Sequence, residues 1–106
     1  MQLRKLDIDD LLILSLLLSG YEQKYIAAEM GMTQPAISQR LFKINTAFEV
    51  KLYTRITREG RLTAEGRQFA SKAKDSLKLL TETSPYSFSE GRGKMLIKLI
   101  FEKEQA

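Results

Sequence analysis

The 106-residue sequence predicts a mainly α-helical domain with one short β-hairpin, on three observations. Ala27, Gly31 and Ile37 stand four and then six residues apart. At those offsets two crossed helices need a small residue, a turn residue that tolerates positive φ, and an apolar residue facing back. The segment KLYTRITREGRLT then sets β-branched and aromatic residues on either side of a polar Arg58-Glu59-Gly60 tip, the pattern of a two-stranded hairpin. Beyond it an apolar seam at helical spacing runs from Thr63 to about Thr83. The expected fold is therefore a winged helix-turn-helix, a three-helix core plus a two-stranded wing, followed by a long dimerisation helix. A chain of this length builds one core and not a second independent one.

The elements follow in order. Asp7 caps a first helix from about Ile8 to Ser19, Asp9 and Asp10 favour its positive end, and Gly20 closes it. Its apolar residues nearly encircle it, so it should be the buried spine. A second helix runs from about Glu22 to Met30, with Ile26 and Met30 inward and Gly31 ending it. Thr33 caps a third, in whose first turn Pro35 costs little because the backbone donors there lack intrahelical partners. Ile37, Leu41, Ile44 and Phe48, spaced four, three and four, supply its inner face, and it should reach roughly to Glu49. In the hairpin, Ile56 and Leu62 turn inward and Arg55, Arg58 and Arg61 stay outside.

Thr63 caps the fourth helix. Phe69, Ala73, Ser76 and Leu80 repeat along it at spacings of four, three and four, with Ala70 and Leu77 alongside. That seam is broader than so small a core needs, and the surplus points to self-association; the alternative is that all of it folds back on the first helix. Residues 1–66 form the winged helix-turn-helix and 63–83 the dimerisation helix. The remainder, 84–106, reads as a loop, SPYSFSEGRG, and a short apolar tail, KMLIKLIFEK, that is either a strand needing a partner or an amphipathic helix.

Composition excludes several functions. With no cysteine and no histidine there is no disulfide, no thiolate nucleophile and none of the commonest zinc ligands, so no metal or cofactor is expected. The one pair with a catalytic look, Ser71-x-x-Lys74, is a single helical turn on a cationic helix, and Gly91-x-Gly93 lacks the strand-to-helix context of a phosphate loop. An enzyme is not expected. The longest apolar run, Leu11 to Leu18, is broken by Ser15 and is far too short to cross a bilayer, and the N-terminus leads to aspartates instead of a cleavage site, so the expected location is the cytoplasm.

The net charge of +4 is unevenly spread. Residues 1–32 carry three Lys/Arg against five Asp/Glu, residues 33–78 carry ten against four, and residues 79–106 carry four of each. The positive charge follows the third helix and the hairpin, as on a phosphate-binding face. With its apolar side turned in, the third helix shows Gln34, Pro35, Ser38, Gln39 and Lys43 outward after its cap Thr33. Amides, hydroxyls and a cation at a helix N-terminus suit the DNA major groove, and a hairpin carrying Arg55, Arg58 and Arg61 suits phosphates or the minor groove. The expected partner is double-stranded DNA, bound as a homodimer.

Read together, TQPAISQRLFKINTAFEVKLYTRITREGRLTAEG resembles the DNA-binding domain of LysR-type transcriptional regulators, without a gap from Thr33 to Gly66. Three motifs carry the resemblance: the start of the recognition helix, Thr33 to Ser38; a Leu-aromatic-x-Arg lead into the wing, Leu52 to Arg55; and Arg61 to Gly66, leading into a long helix. The resemblance implies that Gln34, Pro35 and Ser38 approach base edges, that Arg55, Arg58 and Arg61 serve the wing, and that the fourth helix makes an antiparallel dimer contact. Three positions depart from the family's pattern. Phe42 replaces a polar or basic residue and is either exposed or packed beneath the wing, Asn45 replaces a Glu, and Glu49 replaces the Gly that ends the helix. From the resemblance, the family's effector-binding domain is expected to be absent, the chain being either a cut-down member or an excised fragment in which GKMLIKLIF resembles the first strand of that domain; no small-molecule effector pocket is then expected, and regulation is expected from abundance, partner binding or heterodimers with a full-length relative.

Overall fold

The computed structural model describes residues 3–54 and 60–83. They form a 3₁₀ turn, Leu3–Lys5, then α1 (Ile8–Leu18), α2 (Gln23–Met30), α3 (Gln34–Thr46), β1 (Tyr53–Thr54), β2 (Arg61–Leu62) and α4 (Ala64–Thr83). The strands pair antiparallel, Tyr53 opposite Leu62 and Thr54 opposite Arg61. This is the mainly α winged helix-turn-helix with a long fourth helix that the sequence predicts. The tip of the hairpin, with Arg55, Ile56 and Arg58, and the segment 84–106, including KMLIKLIFEK, lie outside the described residues.

α1 starts with a reciprocal cap. The Asp7 carboxylate accepts from the Asp10 backbone N–H at 2.9 Å and the Asp10 carboxylate accepts from the Asp7 N–H at 3.1 Å, which satisfies two donors that the helix leaves unpaired. Leu12, Ile13, Leu14 and Leu16 are almost wholly buried, and Ser15 is tolerated among them because its hydroxyl donates to the Leu11 carbonyl at 2.8 Å. The spine packs most extensively against α4 and also touches α2 and α3. Ile37, Leu41 and Ile44 seat α3 on this core, each contributing about 2 kcal/mol by burial.

Two expectations change. α3 ends at Thr46 and not near Glu49: Ala47 is its cap, the N–H groups of Ala47 and Phe48 turn back three residues to Ile44 and Asn45, and the Thr46 hydroxyl donates to the Lys43 carbonyl. The chain leaves the helix there because Asn45 is engaged with the backbone ahead of it, as described below. No left-handed residue is needed at position 49; among the described residues only Gly20, Gly31 and Gly60 have positive φ.

The second change concerns the seam of α4. Ala70, Ala73 and Leu77 are buried in the protomer's own core, and Phe69 packs edge-on against Phe48 with ring centroids 4.8 Å apart. The alanines let α4 lie close on α1. These four of the six side chains expected at a dimer contact pack within the chain itself, Phe69 half-buried against Phe48, whereas Ser76 and Leu80 face outward, with Leu79 also exposed.

Candidate nucleic-acid interface

α2 and α3 are joined by a tight turn whose geometry is set by three residues. Gly31 takes φ 66°, a conformation costly for a side chain, and the N–H of Met32 returns to the Ala27 carbonyl at 2.9 Å. Ala27 and Ile37 are buried where the two helices cross. Thr33 then caps α3 by accepting from the Ala36 N–H at 3.2 Å, and Pro35 occupies the first turn. The result is a helix that presents Gln34, Pro35 and Gln39 in the open, with Thr33 at its lip.

Ser38 and Lys43 are less available than the sequence suggested. The Ser38 hydroxyl, half-buried, donates to the Gln23 side-chain carbonyl at 3.2 Å, and the Gln23 amide donates to the Tyr53 hydroxyl. One glutamine thus ties the start of α2 to α3 and to β1. The Lys43 ammonium lies 2.7 Å from the Asp10 carboxylate, which is fully buried, so Lys43 neutralises an internal charge before it meets a phosphate. Arg40 completes this cluster, donating to both Asp7 oxygens at 2.9 and 3.0 Å and to Asp10 at 3.1 Å. Burial tends to raise the Asp7 carboxyl. The Asp10 N–H, Arg40 and Lys43 together outweigh it and hold that carboxyl below its ordinary value, while the hydrogen bond to Asp7 raises Arg40. Two of the ten cations counted toward the basic face are therefore structural ties between α3 and the start of α1.

The base of the wing is held with equal care. Asn45 accepts from the backbone N–H groups of Leu52 and Tyr53 at 2.9 and 3.1 Å and donates to the Tyr53 carbonyl at 2.8 Å. Its amide serves the outer edge of β1 much as a third strand would. On the other side, the Thr63 N–H donates to the Leu52 carbonyl at 2.9 Å and its hydroxyl to Lys51 at 2.7 Å, while the same hydroxyl caps α4 by accepting from Gly66 at 3.0 Å. Gly66 has no room for a side chain: a Cβ there would lie 1.9 Å from the Leu52 carbonyl oxygen. At Gly60, φ is +68° and a Cβ would collide with the Tyr53 ring. Arg61, at the foot of the wing, is exposed.

Between the α1–α2 turn, the first residue of α3 and the wing foot lies a cleft of about 590 Å³, whose walls include Tyr21, Lys24, Gln34, Arg61 and Arg67. It adjoins the outward face of α3 and carries three cations. Phe42 adopts the exposed of its two expected placements, 72 % accessible on α3. Sequence reasoning overlooked Arg40 and Gln23 as organising residues. It marked Asn45 only as a departure in residue type, which was the single signal for its role. Among the described residues no cluster of acidic residues is arranged to hold a metal ion, and no helix is long and apolar enough to cross a membrane.

Two helices crossed at a glycine turn, a capped helix with an amide-bearing outward face and a two-stranded wing beside it define a winged helix-turn-helix domain, an architecture that can lay its second crossed helix in a DNA major groove. Residues 27–67 match the family described as bacterial regulatory helix-turn-helix protein, LysR family. An uncharacterized HTH-type transcriptional regulator in the ibpB-leuC intergenic region of Azotobacter vinelandii is 38 % identical over 54 residues, covering 51 % of this chain and 38 % of that protein. The chain therefore aligns with well under half the length of that relative. No solved structure matches the chain significantly.

Proposed function

We propose that this chain is a sequence-specific, double-stranded-DNA-binding transcriptional regulator that reads a palindromic site as a homodimer in the cytoplasm. Residues 1–66 are its DNA-binding unit and 63–83 its dimerisation helix. The observation that carries this reading is the outward face of α3, with Gln34, Pro35 and Gln39 exposed at a capped N-terminus beside an exposed Arg61. Gln34 and Gln39 bond base edges, Pro35 approaches the groove wall, and Thr33 and Ser38 lie within reach of phosphate or base. Arg61 contacts phosphate, and Arg55 and Arg58 are assigned to the same wing.

Dimerisation falls to the residues of α4 that the core does not take. Ser76 is exposed and Leu80 is 46 % accessible, so the contact is expected toward the C-terminal half of the helix. A two-fold dimer would set its recognition helices at half-sites about 10 bp apart or a multiple of that. The test is selection of bound duplexes from a randomised library at about 150 mM salt, where non-specific attraction is weakened. Enrichment of a two-fold symmetric motif is expected, and its absence refutes the reading. In sedimentation, Leu80→Asp should give a folded monomer; a wild-type chain that is itself monomeric at micromolar concentration removes the dimer.

The outward Leu80 also suits a second reading, in which the chain modulates a longer relative through mixed dimers. Co-purification with such a relative in the absence of DNA affinity would select it.

A further inference from the structure

We propose that Phe42 is a specificity-determining residue that packs against a thymine C5-methyl group in the major groove. The inference deepens the DNA-binding reading above and rests on it. Pro35, Ser38, Gln39 and Phe42 stand at offsets of zero, three, four and seven residues on α3. Recognition helices of the three-helix type send base-contacting side chains into the groove at the same offsets. Opposite this face, Ile37, Leu41 and Ile44 are buried, so the register of α3 holds Phe42 outward beside Gln39.

The neighbouring polar groups are already engaged. The Ser38 hydroxyl donates to Gln23, the Thr46 hydroxyl donates to the Lys43 carbonyl, and the Lys43 ammonium is held by Asp10. That leaves Gln34, Pro35, Gln39 and a phenyl ring as the most open side chains of α3 toward the bases. A phenyl ring cannot satisfy the donors and acceptors of purine edges and would strip them of water at a cost, whereas the thymine methyl is the apolar group that the major groove offers. At 72 % accessibility the ring is left in water by the free domain, and burial against a methyl returns the transfer free energy it forgoes.

The residue is also a clean one to change, since an exposed side chain that supports no core contact is removed with little effect on stability. Library selection is carried out on the wild type and on Phe42→Ala, with equal melting temperatures as the control for folding. The wild-type motif should contain a thymine that Phe42→Ala no longer specifies. Replacing that thymine by deoxyuridine removes one methyl and should weaken the wild type about fourfold, the equivalent of one buried CH₂, while leaving Phe42→Ala unchanged. If both proteins select the same motif and bind the thymine and deoxyuridine duplexes equally, this inference fails while sequence-specific binding stands, and the ring belongs to a protein contact instead. If the wild type enriches no motif, the DNA-binding reading falls and takes this inference with it.

Discussion

Replacing Asn45 by Ala tests whether one side chain holds the wing to the recognition helix. In the native domain the Asn45 amide makes three hydrogen bonds of 2.8 to 3.1 Å to the backbone of Leu52 and Tyr53, residues only 2 % and 8 % accessible. Truncation leaves two N–H groups and one carbonyl without their partner. A buried polar group so orphaned costs about 1–3 kcal/mol, and water entering a half-buried site recovers part of it, so the expected loss is about 2–4 kcal/mol. For a domain of this size that lowers the melting temperature by on the order of 10–20 °C. Asn45→Asp keeps both acceptor bonds but sets a carboxylate oxygen against the Tyr53 carbonyl, so it should lose stability too, and more at neutral than at acid pH. Thermal unfolding followed by helical circular dichroism measures the loss, and amide exchange at Leu52 and Tyr53 locates it. A melting temperature within two degrees or so of wild type, or unchanged exchange at those two amides, would refute the reasoning, because 1 kcal/mol already moves the midpoint by about 4–8 °C.

Other perturbations separate structural from DNA-directed roles. Gly66→Ala, which in an ordinary helix stabilises by about 1 kcal/mol, should here destabilise by about 2–4 kcal/mol because the new methyl meets the Leu52 carbonyl; a higher melting temperature would show that the contact relaxes freely. Arg40→Ala should cost about 2 kcal/mol, since it leaves the buried Asp10 to Lys43 alone, with no change in the salt dependence of DNA binding. Arg61→Ala should do the reverse, sparing stability and reducing the logarithmic salt slope by about one; urea titration and binding at several salt concentrations distinguish the two. The Asp7 carboxyl lies below its ordinary 3.8 in the folded state, so its contribution is complete above that value and is lost as pH falls through the lower, folded one. The urea midpoint of the wild type should therefore drop more steeply below about pH 4 than that of Asp7→Asn, and parallel curves would remove Asp7 from the acid response.

How much of this was legible depends on the reach of each interaction. The caps at Asp7, Thr33 and Thr63 and the turn at Gly31 act within a few residues of themselves, so their signals stand in the sequence, and the elements begin where those signals put them. The end of α3 was misjudged because its determinant is not local. Asn45 bonds to residues seven and eight positions ahead in a segment with no periodicity, and nothing in a helical pattern announces that an amide will be used as a strand edge. Lys43 reads as a free outward cation for a similar reason: its carboxylate partner is 33 positions away on another helix.

By itself the sequence determined the helices, the turn, the wing and the outward position of Gln34, Pro35 and Gln39, because propensity, capping and amphipathic period are properties of neighbours along the chain. Only the tertiary structure decided how the surplus was spent. An apolar seam on α4 reads the same whether it meets α1 or a second copy, and packing assigned Phe69, Ala70, Ala73 and Leu77 to the protomer while leaving Leu80 outside. A lysine on the outward side of α3 likewise reads as a free cation until the fold brings a buried carboxylate to it, because the cost of an unpaired charge is set by surroundings that come from elsewhere in the chain.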